Sequence, residues 1–125
     1  MDENTLSRVI IGAAIEVHRQ LGPGLLESAY EECLAYELIQ RDIAVERQKP
    51  IAVVYKEVRL DCGFRVDLMA EGRVVVEIKA VDRLMPVHDA QILTYLKLTG
   101  CKLGLLLNFN VPKLRDGIKR LVLNL

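Results

Sequence analysis

A chain of 125 residues with 51% hydrophobic and 27% charged residues has the composition of an ordinary globular domain with one core. Its 17 basic and 17 acidic residues cancel, which excludes a general cationic grip on nucleic acid; such a contact needs a local patch or a second subunit. No apolar stretch reaches the roughly 20 residues that span a bilayer, and the polar start Met1-Asp2-Glu3-Asn4 is unlike a secretory leader.

Leu6, Val9, Ile10, Ala13, Val17 and Leu21 recur at helical spacing and predict an amphipathic helix over 4–20, capped by Asn4 or Thr5 and broken by Gly22-Pro23-Gly24. A second helix is expected over 25–41, with Leu26, Tyr30, Cys33, Leu34, Glu37 and Leu38 along one side. Glu27 falls near its start, where the helix dipole favours a carboxylate. From Val45 the period becomes that of strands: one long bent or bulged strand over 45–55 interrupted by Pro50, then strands over 58–68 and 73–81. Pro86 introduces a helix over 87–99 that Gly100 ends, and the apolar run 103–108 suits a strand covered on both faces. The tail, 116–125, reads equally as an edge strand or a short helix. A meander followed by a helical crossover into another strand gives an α/β protein whose mixed sheet is flanked by helices.

Cys33, Cys62 and Cys101 are odd in number and widely spaced, as expected of reduced thiols in a cytoplasmic protein. His18 and His88 have no metal-ligand spacing between them; His18 reads as a polar-face residue and His88 as a helix-start residue. Lys113, Arg115, Lys119 and Arg120 form a basic run, by default a solvated face but also the best candidate phosphate-binding patch.

Three charges stand at odd with this apolar setting: Asp67, in Gly63-Phe64-Arg65-Val66-Asp67-Leu68-Met69, and Glu77 and Lys79, in Val74-Val75-Val76-Glu77-Ile78-Lys79. The even positions Phe64, Val66, Leu68, Val74, Val76 and Ile78 are apolar and are expected under a helix layer, leaving Arg65, Asp67, Glu77 and Lys79 on the other face. A three-residue loop Glu71-Gly72-Arg73 sets Asp67 opposite Glu77, whereas a two-residue turn at Glu71-Gly72 sets Asp67 opposite Val76. Two carboxylates about 4 Å apart repel by roughly 4 kcal/mol at an effective dielectric near 20. A hard divalent cation reverses that sign, and its bound water becomes more acidic, with Lys79 placed to orient it or to stabilise charge on a phosphate. The same residues also fit a buried ion cluster of Asp67 or Glu77 with Lys79 or Arg65 that serves only the fold.

The spacing from Asp67 to Glu77-Ile78-Lys79 resembles the core signature of the PD-(D/E)XK nuclease superfamily. Gln91-Ile92-Leu93-Thr94-Tyr95 resembles the Q-x-x-x-Y helix motif of one of its branches, and Gly24-Leu25-Leu26-Glu27-Ser28-Ala29-Tyr30 matches the motif that names the GxxExxY protein family, placed in the same superfamily. The resemblance implies a restriction-endonuclease-like core and a magnesium- or manganese-dependent nuclease acting on DNA or RNA; a chain this small covers few phosphates by itself, so a homodimer or a larger partner is expected. It implies metal ligation by Asp67, Glu77, Glu27 and the Ile78 carbonyl, catalysis by Lys79, a site contact from Gln91, and support from Tyr95 and Tyr30. The superfamily's eponymous proline, often absent among its members, has no counterpart before Asp67, where Val66 stands. The alternative is a non-catalytic nucleic-acid-binding or protein-interaction module that keeps the fold.

Overall fold

The chain builds a five-stranded mixed sheet with helices on both faces, as described for residues 1–61 and 63–125 in a computed structural model. Cys62, read above as a reduced thiol, lies outside the described residues. Helices α1 (Glu3–Leu21) and α2 (Glu27–Gln40) come first, followed by β1 (Val45–Pro50), β2 (Val53–Tyr55), β3 (Val58–Leu60), β4 (Arg65–Ala70) and β5 (Val74–Lys79). Helix α3 (Pro86–Thr99) then crosses to β6 (Leu103–Asn108), and a 3-10 turn (Leu114–Gly117) leads into β7 (Ile118–Val122). The order across the sheet is β1-β4-β5-β6-β7, with β5 and β6 parallel and the other neighbours antiparallel. None of the described helices is long and apolar enough to cross a membrane.

The cap of α1 is Asp2, not Asn4 or Thr5: its Oδ1 accepts the Thr5 amide at 2.7 Å. The first two helices cover one sheet face, where Leu6, Ile10 and Val17 of α1 and Tyr30, Leu34 and Leu38 of α2 pack on Leu68, Val74, Val76, Ile78 and Leu105. On the other face, Ile92, Tyr95 and Leu96 of α3 pack on Met69, Val75 and Leu106. Strand β6 is therefore buried on both sides, the physical reason its sequence is a continuous apolar run. Gly104 lets α3 come this close, since a Cβ there would lie 2.7 Å from Cγ2 of Ile92. The tail resolves to the edge strand β7.

Two expected strands each divide. The chain predicted as one strand over 45–55 forms β1 and β2, and that over 58–68 forms β3 and β4. Proline at position 50 cannot donate a ladder bond, and Gly63 turns at φ +78°; between them β2 and β3 leave the main sheet as a two-stranded ribbon. The Ile51 amide donates to the Phe64 carbonyl at 2.9 Å and closes the ribbon's base.

His18 departs from its polar-face reading. It is buried, its Nε2 lies 2.8 Å from the Val111 carbonyl, and its ring tilts against Phe109, because the segment after β6 folds back over the end of α1. His88 is in the first turn of α3, where Nδ1 accepts the Met85 amide at 2.9 Å. In α2 the buried side carries Tyr30, Glu31, Leu34, Ala35 and Leu38, while Leu26 is exposed before the helix begins.

Tyr30 is a packing residue that also ties a turn. Its ring stacks on Phe109 at 4.5 Å, its hydroxyl donates to the Gly22 carbonyl at 2.6 Å, and it accepts the Leu25 amide at 3.1 Å. Tyr30→Phe leaves both backbone groups without that partner and is expected to cost about 1–3 kcal/mol in urea unfolding. An unchanged midpoint would show that the tie contributes nothing.

Candidate active site

The hairpin between β4 and β5 creates the site. Ala70 faces Val74, Met69 faces Val75 and Leu68 faces Val76, the register of the three-residue loop, with Glu71 and Gly72 both at positive φ. The same register brings Asp67 opposite Glu77. There the paired backbone gives way to side chains. The Asp67 amide donates to Oε2 of Glu77 at 3.1 Å, and the Ile78 amide donates to Oδ2 of Asp67 at 2.9 Å. Each carboxylate thus takes a backbone amide of the opposite strand, and the two acids are held face to face.

Alternation in β4 breaks at this point. Leu68, Val74, Val76 and Ile78 lie under α1 and α2 as expected, but Val66 joins the core under α3 and Phe64 is exposed. Gln48, across from Asp67 on β1, adopts φ +50° at the same level of the sheet.

Glu77 is only 3% exposed, and its carboxyl pKa is pushed up to about 9. Burial is the largest cause, followed by the hydrogen bond and the negative charge of Asp67; the Asp67 amide and the Lys79 charge oppose the shift without cancelling it. Lys79 sits two residues on, half-buried, and its ammonium enters none of the ion pairs among the described residues. Its backbone is fixed from β6: the Phe109 amide donates to the Lys79 carbonyl at 2.9 Å, and the Asn108 side-chain amide bonds both the N–H and the carbonyl of Val81. The fold-only ion cluster would require pairs of Asp67 or Glu77 with Lys79 or Arg65, and none forms among the described residues.

On α3, Nε2 of Gln91 donates to the Tyr95 hydroxyl at 3.0 Å. Burial, and then the Glu77 charge, raise the pKa of the Tyr95 hydroxyl, and the Asp67 charge adds to this against the Gln91 bond, so the Gln91–Tyr95 pair belongs to the electrostatic surroundings of the acids. From α2 the connection runs through Glu31. Gln48 donates to Oε1 of Glu31 and, at 3.3 Å, to Oδ1 of Asp67, while Arg47 pairs with Oε2 of Glu31 at 3.1 Å. Glu27, one turn earlier, is the exposed first residue of α2 and takes part in none of the hydrogen bonds of the described side chains.

Sequence reading therefore missed Glu31, Arg47, Gln48 and Asn108. Glu31 shares a helix face with Glu27 four residues before it, but that spacing does not tell a buried glutamate from a solvated one. The basic run does not form one patch: Lys119 pairs with Asp89 of α3, and Arg120, the next residue of β7, donates to Asn4 of α1. Lys113 and Arg115 are exposed on either side of the start of the 3-10 turn.

The sheet order, the two carboxylates joined across a hairpin and the lysine two residues on carry the pattern of one nuclease fold, and a family model for the PD-(D/E)XK nuclease superfamily matches residues 4–121. The chain belongs to the PD-(D/E)XK nuclease superfamily. Its five-stranded mixed sheet flanked by helices is the restriction-endonuclease-like core of that superfamily. No curated protein and no solved structure matches the chain. Nucleases of the PD-(D/E)XK superfamily generally depend on a divalent metal. Among the described residues no group of three or more His, Cys, Asp or Glu side chains is arranged to hold one. Two opposed carboxylates with too little nearby positive charge nevertheless fit magnesium, which usually takes one or two carboxylates and keeps several waters.

Proposed function

We propose that this chain is a magnesium- or manganese-dependent nuclease of the GxxExxY group that hydrolyses phosphodiester bonds in DNA or RNA. The observation that carries the reading is the facing pair Asp67–Glu77 with, two residues away, the ammonium of Lys79, which enters no ion pair among the described residues. Asp67, Glu77 and the Ile78 carbonyl would hold the metal, which when bound acidifies a water and polarises the phosphate. Lys79 neutralises negative charge as it develops on the phosphate. Gln91, oriented by the Tyr95 hydroxyl, contacts the phosphate region, and Glu27 approaches the attacking water from α2. The Gly24-to-Tyr30 motif supports the group assignment. A cytoplasmic location and action as a homodimer or with a larger partner remain part of the same reading.

End-labelled DNA and RNA incubated with the purified protein test it. Fragments are expected in millimolar magnesium or manganese, none in EDTA, and none with Asp67→Asn. A folded protein that cuts neither polymer with either metal refutes the reading. That result favours the second one, a non-catalytic binding or interaction module, for which the specific observation is that, among the described residues, no third His, Cys, Asp or Glu joins the pair in a metal-holding group.

A further inference from the structure

Two grooves flank the β2–β3 ribbon and share a wall. The first, of about 640 Å³, runs between the ribbon and α3 and is lined by Val53, Phe64, Val87, His88, Gln91 and Tyr95, among others. Gln91 and Tyr95, both proposed parts of the site, line it together. Its wall exposes large apolar surface, with Phe64 45% and Val87 67% accessible. The second groove, of about 500 Å³, carries Lys49, Arg59 and Lys97 and, among the described residues, no acidic side chain. Leu98 lines both grooves, and the successive ribbon residues Val53 and Val54 line one each. Arg59 and Lys97 enter none of the ion pairs among the described residues.

An apolar groove next to a phosphodiester site cannot take the charged backbone, but it can take the face of a base. A base in a duplex has both faces stacked and must be unpaired and extruded to offer one. An aromatic side chain beside a cationic groove is the combination by which proteins hold single strands. Resting on the nuclease reading, we infer that the substrate of this site is single-stranded nucleic acid, or an unpaired segment, with a base against Phe64 in the apolar groove and neighbouring phosphates over Arg59 and Lys97. In a chain without net charge, this cationic groove also supplies the local patch that such binding requires.

Binding of fluorescent single strands and blunt duplexes of equal length, DNA and RNA, is measured by anisotropy in EDTA, where no metal-dependent cutting occurs. Single strands are expected to bind at least about tenfold more tightly than duplex, and Phe64→Ala to weaken them about tenfold or more. The double variant Arg59→Ala/Lys97→Ala is expected to reduce the salt slope of log affinity by ~1.4, two contacts' worth for a single strand. Equal affinity for both forms with no effect of Phe64→Ala overturns the inference, as does light scattering that shows a dimer dissociated by Phe64→Ala. Cleavage of the same oligonucleotides separates the two readings. Metal-dependent cutting without strand preference overturns the inference and leaves the nuclease, whereas strand-selective binding with no cutting overturns the nuclease and supports the surface.

Discussion

Glu77→Gln is expected to abolish cleavage while leaving the protein at least as stable as the wild type. The substitution keeps the size of the side chain and replaces the buried carboxyl that faces Asp67 at the β4–β5 hairpin with an amide that cannot ionise to hold a metal. Loss of a metal ligand removes several kcal/mol of transition-state stabilisation, so a fall of about 10³-fold or more in turnover is expected. Stability is not lost with it, because the amide never takes on the charge that burial and Asp67 disfavour as pH rises. Lys79→Ala provides the comparison: a loss of about 10²–10³-fold is expected from removal of the phosphate-stabilising charge, with metal binding retained. Single-turnover cleavage and urea unfolding of the same preparations check both. Activity within tenfold of wild type in Glu77→Gln would remove Glu77 from the chemistry.

The second large effect is on pH dependence. Folded, Glu77 holds its proton to about pH 9; unfolded, it releases it near its ordinary value of 4.5. Between these limits the native state binds more protons than the unfolded one. The contribution is complete below about pH 4.5, declines as pH rises and is lost through pH 9, with a limiting slope of about 1.4 kcal/mol per pH unit. In EDTA, the wild type is expected to lose stability from pH 5 to pH 9 relative to Glu77→Gln, whose curve lacks this slope. Asp2 and Glu16 act in the opposite sense at lower pH, held below the usual carboxylate range by the Thr5 amide and by Arg19, and they are common to both proteins. Metal binding requires both acids ionised, so magnesium affinity is expected to rise with pH over the same window, up to about tenfold per unit. Parallel stability curves for the two proteins would show that Glu77 is ionised in the fold.

The parts of the fold legible in the sequence are those where one periodicity has one structural meaning. The run Leu103–Asn108 suited a doubly covered strand, and apolar residues at even positions around Glu71-Gly72-Arg73 favoured the register that sets Asp67 against Glu77. The ribbon was hidden because β2 and β3 have the same alternating pattern as the strands they adjoin, so Pro50 and Gly63 read as irregularities within strands instead of exits from the sheet. Val66 escaped because its face is set by the break at Asp67, where carboxylates replace ladder bonds, and not by alternation. The two acids and the lysine were legible as charges in apolar strands. Glu31 was not, since a glutamate on a helix is usually solvated and only Arg47, Gln48 and the packing of α2 bury it. His18 was missed for a related reason: the segment that covers it comes 93 residues later.

All of the proposed chemistry depends on the facing carboxylates being a metal site. A crystal grown in millimolar manganese and measured for anomalous scattering addresses this directly. The expected result is one manganese between Asp67 and Glu77, with the Ile78 carbonyl in its coordination shell and no peak in Glu77→Gln crystals treated in the same way. A wild-type crystal at millimolar manganese with no anomalous peak at the pair would contradict it.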